Sequence, residues 1–81
     1  MHTSTLDLRG LKCPLPALLA RRALMRAEAG TTLGVLADDP LAAIDIPHMC
    51  RQEGYEVLDF EKHAAHTRFV VRRPPPESHA C

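Results

Sequence analysis

The chain has 81 residues, of which 46% are hydrophobic and 25% are charged, a length and a composition typical of one small soluble domain with a single core. Its ten basic and ten acidic side chains give a formal net charge of +0 at pH 7, which argues against direct binding to nucleic acid or to an anionic membrane. No apolar run approaches the ~20 residues that span a bilayer and the first residues lack the apolar stretch of a signal peptide, so we predict a cytoplasmic protein.

The first two predicted elements are a strand and a helix joined by a short turn. In residues 5–9 leucines alternate with polar residues, which is the period of a half-buried strand, and Gly10 then ends it. Residues 14–27 are rich in Leu, Ala, Met and Arg, with proline only in the first turn, and they predict the first helix. Its apolar face is predicted to comprise Leu15, Leu18, Leu19 and Met25, with Arg21 and Arg26 toward solvent.

The next two elements are a second strand and a second helix. Residues 31–37 are almost uncharged, which predicts a central strand. The second helix is predicted from its end signals, which are Asp38 or Asp39 as N-cap, Pro40 at the first helical position and Gly54 as terminator. Its predicted apolar series is Leu41, Ile44 and Met49. Because Pro47 has no amide hydrogen, we expect it to kink or split this helix.

The last predicted elements form a hairpin. Residues 55–61 and 67–73 are β-rich runs separated by the polar segment KHAAH, a pattern typical of two antiparallel strands. The order β-α-β-α-β-β predicts an α/β two-layer sandwich, with a mixed four-stranded sheet and two helices packed on one face. We therefore predict a single domain over residues 1–73 and a flexible, Pro-rich tail over residues 74–81.

The residue with the clearest chemical potential is Cys13, in the turn between the first strand and the first helix. The positive end of the helix dipole and the neighbouring Arg9 and Lys12 favour the thiolate. Because Pro14 and Pro16 lack amide hydrogens, two donors that would stabilise an anion are missing, and we predict a moderately activated thiol suited to exchange. The alternative is that Cys13 only fills a tight turn.

The number and spacing of the cysteines and histidines limit the kinds of site that the chain can form. Three cysteines without a C-x-x-C pair fit neither a disulfide framework nor a zinc ribbon, which leaves single-thiol chemistry at Cys13. Cys50 is predicted to pack in the core. His63 and His66 have a spacing found in metal sites, but without a third ligand we expect them to be solvated and predict no metal site.

Two segments together resemble the TusA/SirA-like family of small sulfur-carrier proteins. The first is LDLRGLKCPLP, with Gly10 followed by Cys-Pro-x-Pro at residues 13–16, and the second is ADDPLAAIDIPHMC, with an Asp-Ile-Pro turn at residues 45–47. With the element order, the resemblance covers about residues 5–73. It implies a monomeric two-layer sandwich in which Cys13 carries a persulfide sulfur and no other cofactor is needed.

The resemblance also implies partners and supporting residues. Gly10, Pro14 and Pro16 would form the framework of the motif, and Arg9, Lys12 and Asp38 would be candidates for partner docking or electrostatic tuning. The sulfur would come from a cysteine desulfurase or a rhodanese-like donor and pass to a downstream acceptor protein, for tRNA thiolation, molybdenum-cofactor metabolism or sulfur oxidation. Leu15 stands where family members that act in tRNA thiolation have an acidic residue, which argues against a role of this chain in tRNA thiolation.

Two other functions fit the same residues. The Cys13 loop and the exposed face of the sheet could dock a partner without moving sulfur, as a binding or regulatory module. Alternatively, Cys13 could sense oxidants, with Cys81 as a mobile resolving thiol.

Overall fold

Two helices and four strands follow one another in the predicted order in the computed structural model, which describes residues 3–75. They are β1 (Thr3–Asp7), α1 (Leu15–Arg26), β2 (Thr32–Ala37), α2 (Ala42–Glu53), β3 (Glu56–Lys62) and β4 (Thr67–Arg72). The ends differ from the predicted ones by at most two residues, as is usual for element boundaries. Of the predicted tail, residues 76–81 lie outside the described residues.

The four strands form one mixed sheet in the order β1-β2-β4-β3. β1 and β2 are parallel, whereas β4 is antiparallel to both β2 and β3. The predicted α/β fold, the central position of β2 and the β3–β4 hairpin are therefore confirmed. Because β1 and β2 run in the same direction, the loops that follow them leave the sheet at the same edge, where ligands of α/β proteins commonly bind.

One face of the sheet carries the core. Leu33 pairs with Val71 and Val35 with Phe69 across the β2–β4 ladder, and all four side chains are buried. The helices cover them with small and medium-sized side chains, which are Ala17, Ala20 and Leu24 from α1 and Ala42, Ile46, Met49 and Cys50 from α2. No polar side chain of the described residues is buried.

The predicted apolar faces of the helices are largely wrong. In α1 the residues Leu15, Leu18 and Met25 are exposed, and the buried stripe is Pro16, Ala17, Ala20 and Leu24. In α2 Met49 is buried as predicted, but Leu41 and Ile44 are exposed. Alanine lets a helix approach its neighbours closely, so the small-residue stripe faces the core, and the larger leucines remain outside.

The beginning and the middle of α2 also differ from prediction. The helix begins at Ala42, two residues after Pro40, and Asp39 accepts a hydrogen bond from the Leu41 amide in the preceding turn (3.0 Å). Pro47 does not split the helix, which is continuous from Ala42 to Glu53. Pro47 is the sixth residue of α2 and removes only one backbone hydrogen-bond donor from the helix. Packing of the buried face of α2 against the core keeps the helix continuous.

The other face of the sheet is polar. Arg72 pairs with Glu56 at 2.8 Å and Arg68 with Glu61 at 3.4 Å across the β3–β4 ladder. The ladder is interrupted by a bulge between Val57 and Asp59, and every residue of the edge strand β3 is exposed. Neither helix within residues 3–75 has the length and apolar character needed to cross a lipid bilayer.

Candidate functional site

The Cys13 loop is held at the edge of the sheet by the two acidic residues that follow β2. Both carboxylate oxygens of Asp38 accept from the Gly10 amide, at 2.9 and 3.0 Å, and Asp39 accepts from the Cys13 amide. Gly10 has a φ of 87°, a conformation that glycine adopts without a steric cost. Asp38, predicted as a docking or tuning residue, thus shapes the loop, and Gly10 belongs to the framework.

The thiol of Cys13 is exposed and contacts α2. Its Sγ donates a hydrogen bond to Oδ2 of Asp45 at 2.8 Å, and Asp45 lies in the first turn of that helix. Cys13 itself directly precedes Pro14, the N-cap of α1, and the Cys13–Pro14 peptide bond is cis. The sulfur of Cys13 therefore lies between the N-terminal ends of the two helices.

The electrostatic surroundings of this sulfur are acidic, contrary to the prediction. The hydrogen bond to Asp45 raises the pKa of the Cys13 thiol, and burial and the charges of Asp45 and Asp39 raise it further. Arg9, expected to favour the thiolate, instead forms a two-point ion pair with Asp7 at 2.8 and 2.7 Å. These contacts favour the thiol over the thiolate in the isolated protein.

Lys12 acts on a different group from the one predicted. The pKa of Asp39 is lowered, first by the hydrogen bond from the Cys13 amide, then by that from the Leu41 amide, and to a smaller extent by the charge of Lys12. Asp39 is therefore held as a carboxylate that fixes the Cys13 backbone. Lys12 helps to keep it ionised.

The backbone amides at the start of α1 do not stabilise an anionic sulfur. Pro14 and Pro16 have no amide hydrogen, as the sequence predicts. The amide of Leu15 donates to the Lys12 carbonyl at 2.8 Å, so it is already used. The only hydrogen bond of Sγ within residues 3–75 is the one to Asp45.

A groove of about 400 Å³ separates α1 from α2 and opens beside the thiol. Its charged and titratable lining consists of Cys13, Arg21, Asp45, His48 and Glu53. Arg21 and Glu53 pair with each other at 3.2 Å. The structure thus brings one histidine, His48, to the same groove as Cys13, a juxtaposition for which the sequence offered no specific support.

The other candidate residues lie elsewhere. Cys50 is 1% exposed in the core, as predicted. His63 and His66 stack on each other in the hairpin turn at 4.8 Å. Within residues 3–75 no group of three or more His, Cys, Asp or Glu side chains could hold a metal ion. Cys81 lies outside the described residues.

The two described cysteines should differ strongly toward a neutral alkylating reagent. Burial raises the pKa of Cys50 to about 11, so this thiol is both protonated at neutral pH and shielded, whereas Cys13 is exposed. We expect iodoacetamide at pH 8 to modify Cys13 first, and Cys50 only when the chain unfolds. Peptide mapping of a time course with and without urea measures this, and equal rates at the two cysteines in the native protein would contradict it.

Sequence reasoning missed the two carboxylates that contact Cys13. The sequence predicts Asp39 only as a helix cap and Asp45 only as part of an Asp-Ile-Pro turn. The spacing from Cys13, 26 residues for Asp39 and 32 for Asp45, carries no local signal. The available indication was topological, because loops that follow parallel neighbouring strands meet at one edge of the sheet.

Comparison with known proteins shows which family and which fold this chain resembles. Residues 4–73 match the family model described as Sulfurtransferase TusA. Two inferred sulfur carrier proteins of Neisseria meningitidis, from serogroups A and B, are each 49% identical over 59 residues, which is 73% of this chain and 80% of each relative. The crystal structure of a SirA-like protein from Desulfitobacterium hafniense superposes with a TM-score of 0.75 at 27% identity, covering 88% of this chain and 97% of that one. Family model, relatives and solved structure all support the predicted resemblance to the TusA/SirA-like family.

Proposed function

The chain belongs to the TusA family of sulfurtransferases, and on that premise we propose that it is a sulfur carrier that holds a persulfide on Cys13. The sulfur is supplied by a cysteine desulfurase or a rhodanese-like enzyme and is passed to an acceptor protein. The observation that carries the proposal is the exposed Cys13 thiol at the mouth of the groove between α1 and α2. No metal or nucleotide takes part, because the step is an exchange between a thiol and a persulfide.

The exchange balances without an added oxidant or reductant. Sγ of Cys13 attacks the terminal sulfur of the donor persulfide, and a new S–S bond forms as the S–S bond of the donor breaks. The proton of the Cys13 thiol is transferred to the donor sulfur, which leaves as a thiol. The reactants are one thiol and one persulfide, and so are the products, so there is no net oxidation or reduction. In the second half of the cycle the acceptor thiol attacks the Cys13 persulfide in the same way.

The surface around Cys13 supports protein partners rather than a small substrate. Four large apolar side chains lie exposed on or directly before the first turns of the two helices, namely Leu15, Leu18, Leu41 and Ile44. Exposed apolar side chains clustered at a reactive group are typical of protein–protein contact surfaces. The groove beside them is open, so a loop of a donor protein can bring its persulfide to Sγ.

The proposal is tested by loading the protein with sulfur. Incubation of the full chain with a cysteine desulfurase and cysteine, or with a rhodanese and thiosulfate, should increase the intact mass by one sulfur atom. Dithiothreitol should remove the increase, because the added sulfur is held in a reducible S–S bond. Absence of a mass increase with both donors would contradict the proposed function.

A further inference from the structure

The contact between Cys13 and Asp45 has a chemical consequence for the partner. The thiol can form a thiolate only by placing a second negative charge 2.8 Å from Oδ2 of Asp45, and two like charges at such a distance repel. The carboxylate of Asp39 holds the Cys13 amide nearby and adds to the repulsion. A persulfide, which is more acidic than a thiol and largely ionised at neutral pH, meets the same two carboxylates when it forms on Cys13.

The described residues offer little positive charge to compensate Asp45. Arg9 is paired with Asp7, Arg21 is paired with Glu53 at the groove, and Lys12 acts on Asp39. The remaining titratable side chain of the groove is His48. Asp45 itself has no ion pair within residues 3–75, and its only hydrogen bond from a side chain there is the one from Sγ.

We infer that Asp45 holds Cys13 as a hydrogen-bonded thiol in the free protein and selects sulfur donors and acceptors that bring a cationic group to its carboxylate. A guanidinium or ammonium group paired with Asp45 releases the thiol from its hydrogen bond and compensates the negative charge that develops on Sγ. The partner's cation thereby couples docking to thiolate formation. This inference rests on the proposed function, since it specifies the chemistry of the carrier's partners.

The first test measures the protonation of Cys13 directly. The rate of iodoacetamide modification of Cys13, followed by peptide mapping as a function of pH, is compared between the wild type and Asp45→Asn. The variant keeps the size and a hydrogen-bond acceptor but removes the charge, so its rate at pH 7 should rise severalfold and its pH profile should move to lower pH. Asp45→Glu keeps the charge and should stay close to the wild type.

The second test measures the preference for a cationic reagent. Cys13 is allowed to exchange with cystamine, a cationic disulfide, and with 3,3′-dithiodipropionate, an anionic one, and each rate is divided by that of bis(2-hydroxyethyl) disulfide, a neutral one. The ratio of the cystamine rate to the dithiodipropionate rate should be about fivefold higher in the wild type than in Asp45→Asn. Added salt should reduce this difference, because exposed charges are screened.

A matched control is Glu28→Gln, which removes one negative charge from an exposed position outside the groove and should change neither measurement. An unchanged pH profile together with an unchanged charge preference in Asp45→Asn would overturn the inference. A shifted pH profile with no change in preference would show that Asp45 only stabilises the protonated thiol of Cys13, and it would overturn the requirement for a cationic partner. Both tests use small reagents, so failure of both the desulfurase and the rhodanese to load the protein would contradict the proposed function without affecting this result.

Discussion

Replacement of Cys13 by alanine is expected to abolish the mass increase of one sulfur atom that a desulfurase or a rhodanese produces in the wild type. The physical reason is that the exchange needs a thiol that a donor persulfide can reach. Within residues 3–75 the only other thiol is that of Cys50, which is buried and whose pKa is raised to about 11. The loss should therefore be complete within the detection limit of intact-mass measurement.

The controls for this prediction are Cys50→Ala and Cys81→Ser, each of which should retain sulfur loading. Circular dichroism of Cys13→Ala should be unchanged, because the side chain is exposed and does not belong to the buried core. Sulfur addition that persists in Cys13→Ala would show that another group carries the sulfur. Unchanged binding of the donor and an unchanged cellular phenotype in Cys13→Ser would instead favour a binding module.

Replacement of Phe69 by alanine is expected to remove much of the stability of the domain. Phe69 is 0% exposed on the central strand β4, opposite Val35 of β2. Truncation of a buried phenylalanine to alanine costs about 3–5 kcal/mol in free energy of unfolding, and small domains have only about 5–15 kcal/mol in total. Urea denaturation followed by far-UV circular dichroism measures the difference from the wild type.

Phe60 provides the matched control because it is the neighbouring aromatic residue of the same sheet. Its ring meets that of Phe69 edge-to-face at 5.2 Å, but Phe60 is 45% exposed on the edge strand β3. We expect Phe60→Ala to cost about 1 kcal/mol, from the lost aromatic contact and partial burial. Equal losses for the two variants would contradict the position of Phe69 at the centre of the core.

The strands, the helices and the position of Cys13 could be predicted because their signals are local. Alternating leucines before Gly10 indicated β1, and prolines confined to the first turn indicated the start of α1. The order of elements then restricted the topology, because a parallel connection requires a crossover helix and two neighbouring β-runs form a hairpin. The family resemblance depended on the same segments.

The faces of the helices could not be predicted reliably because two stripes of α1 fit the helical period equally well. One contains Leu15 and Leu18, and the other contains Ala17, Ala20 and Leu24. Hydrophobicity favours the leucines, whereas the close approach of α1 to its neighbours requires the alanines. The exposed leucines became part of the surface around Cys13, so this local ambiguity matters for function.

The sequence by itself determined which residue is the candidate for sulfur exchange, since a cysteine before a helix and a proline pair is a local arrangement of atoms. Only the tertiary structure decided the electrostatic state of that residue. Neighbours in the chain, Arg9 and Lys12, predicted a positive environment, but folding pairs Arg9 with Asp7 and brings Asp45 to the sulfur. Coulomb energy depends on distance in space, which separation along the chain does not determine.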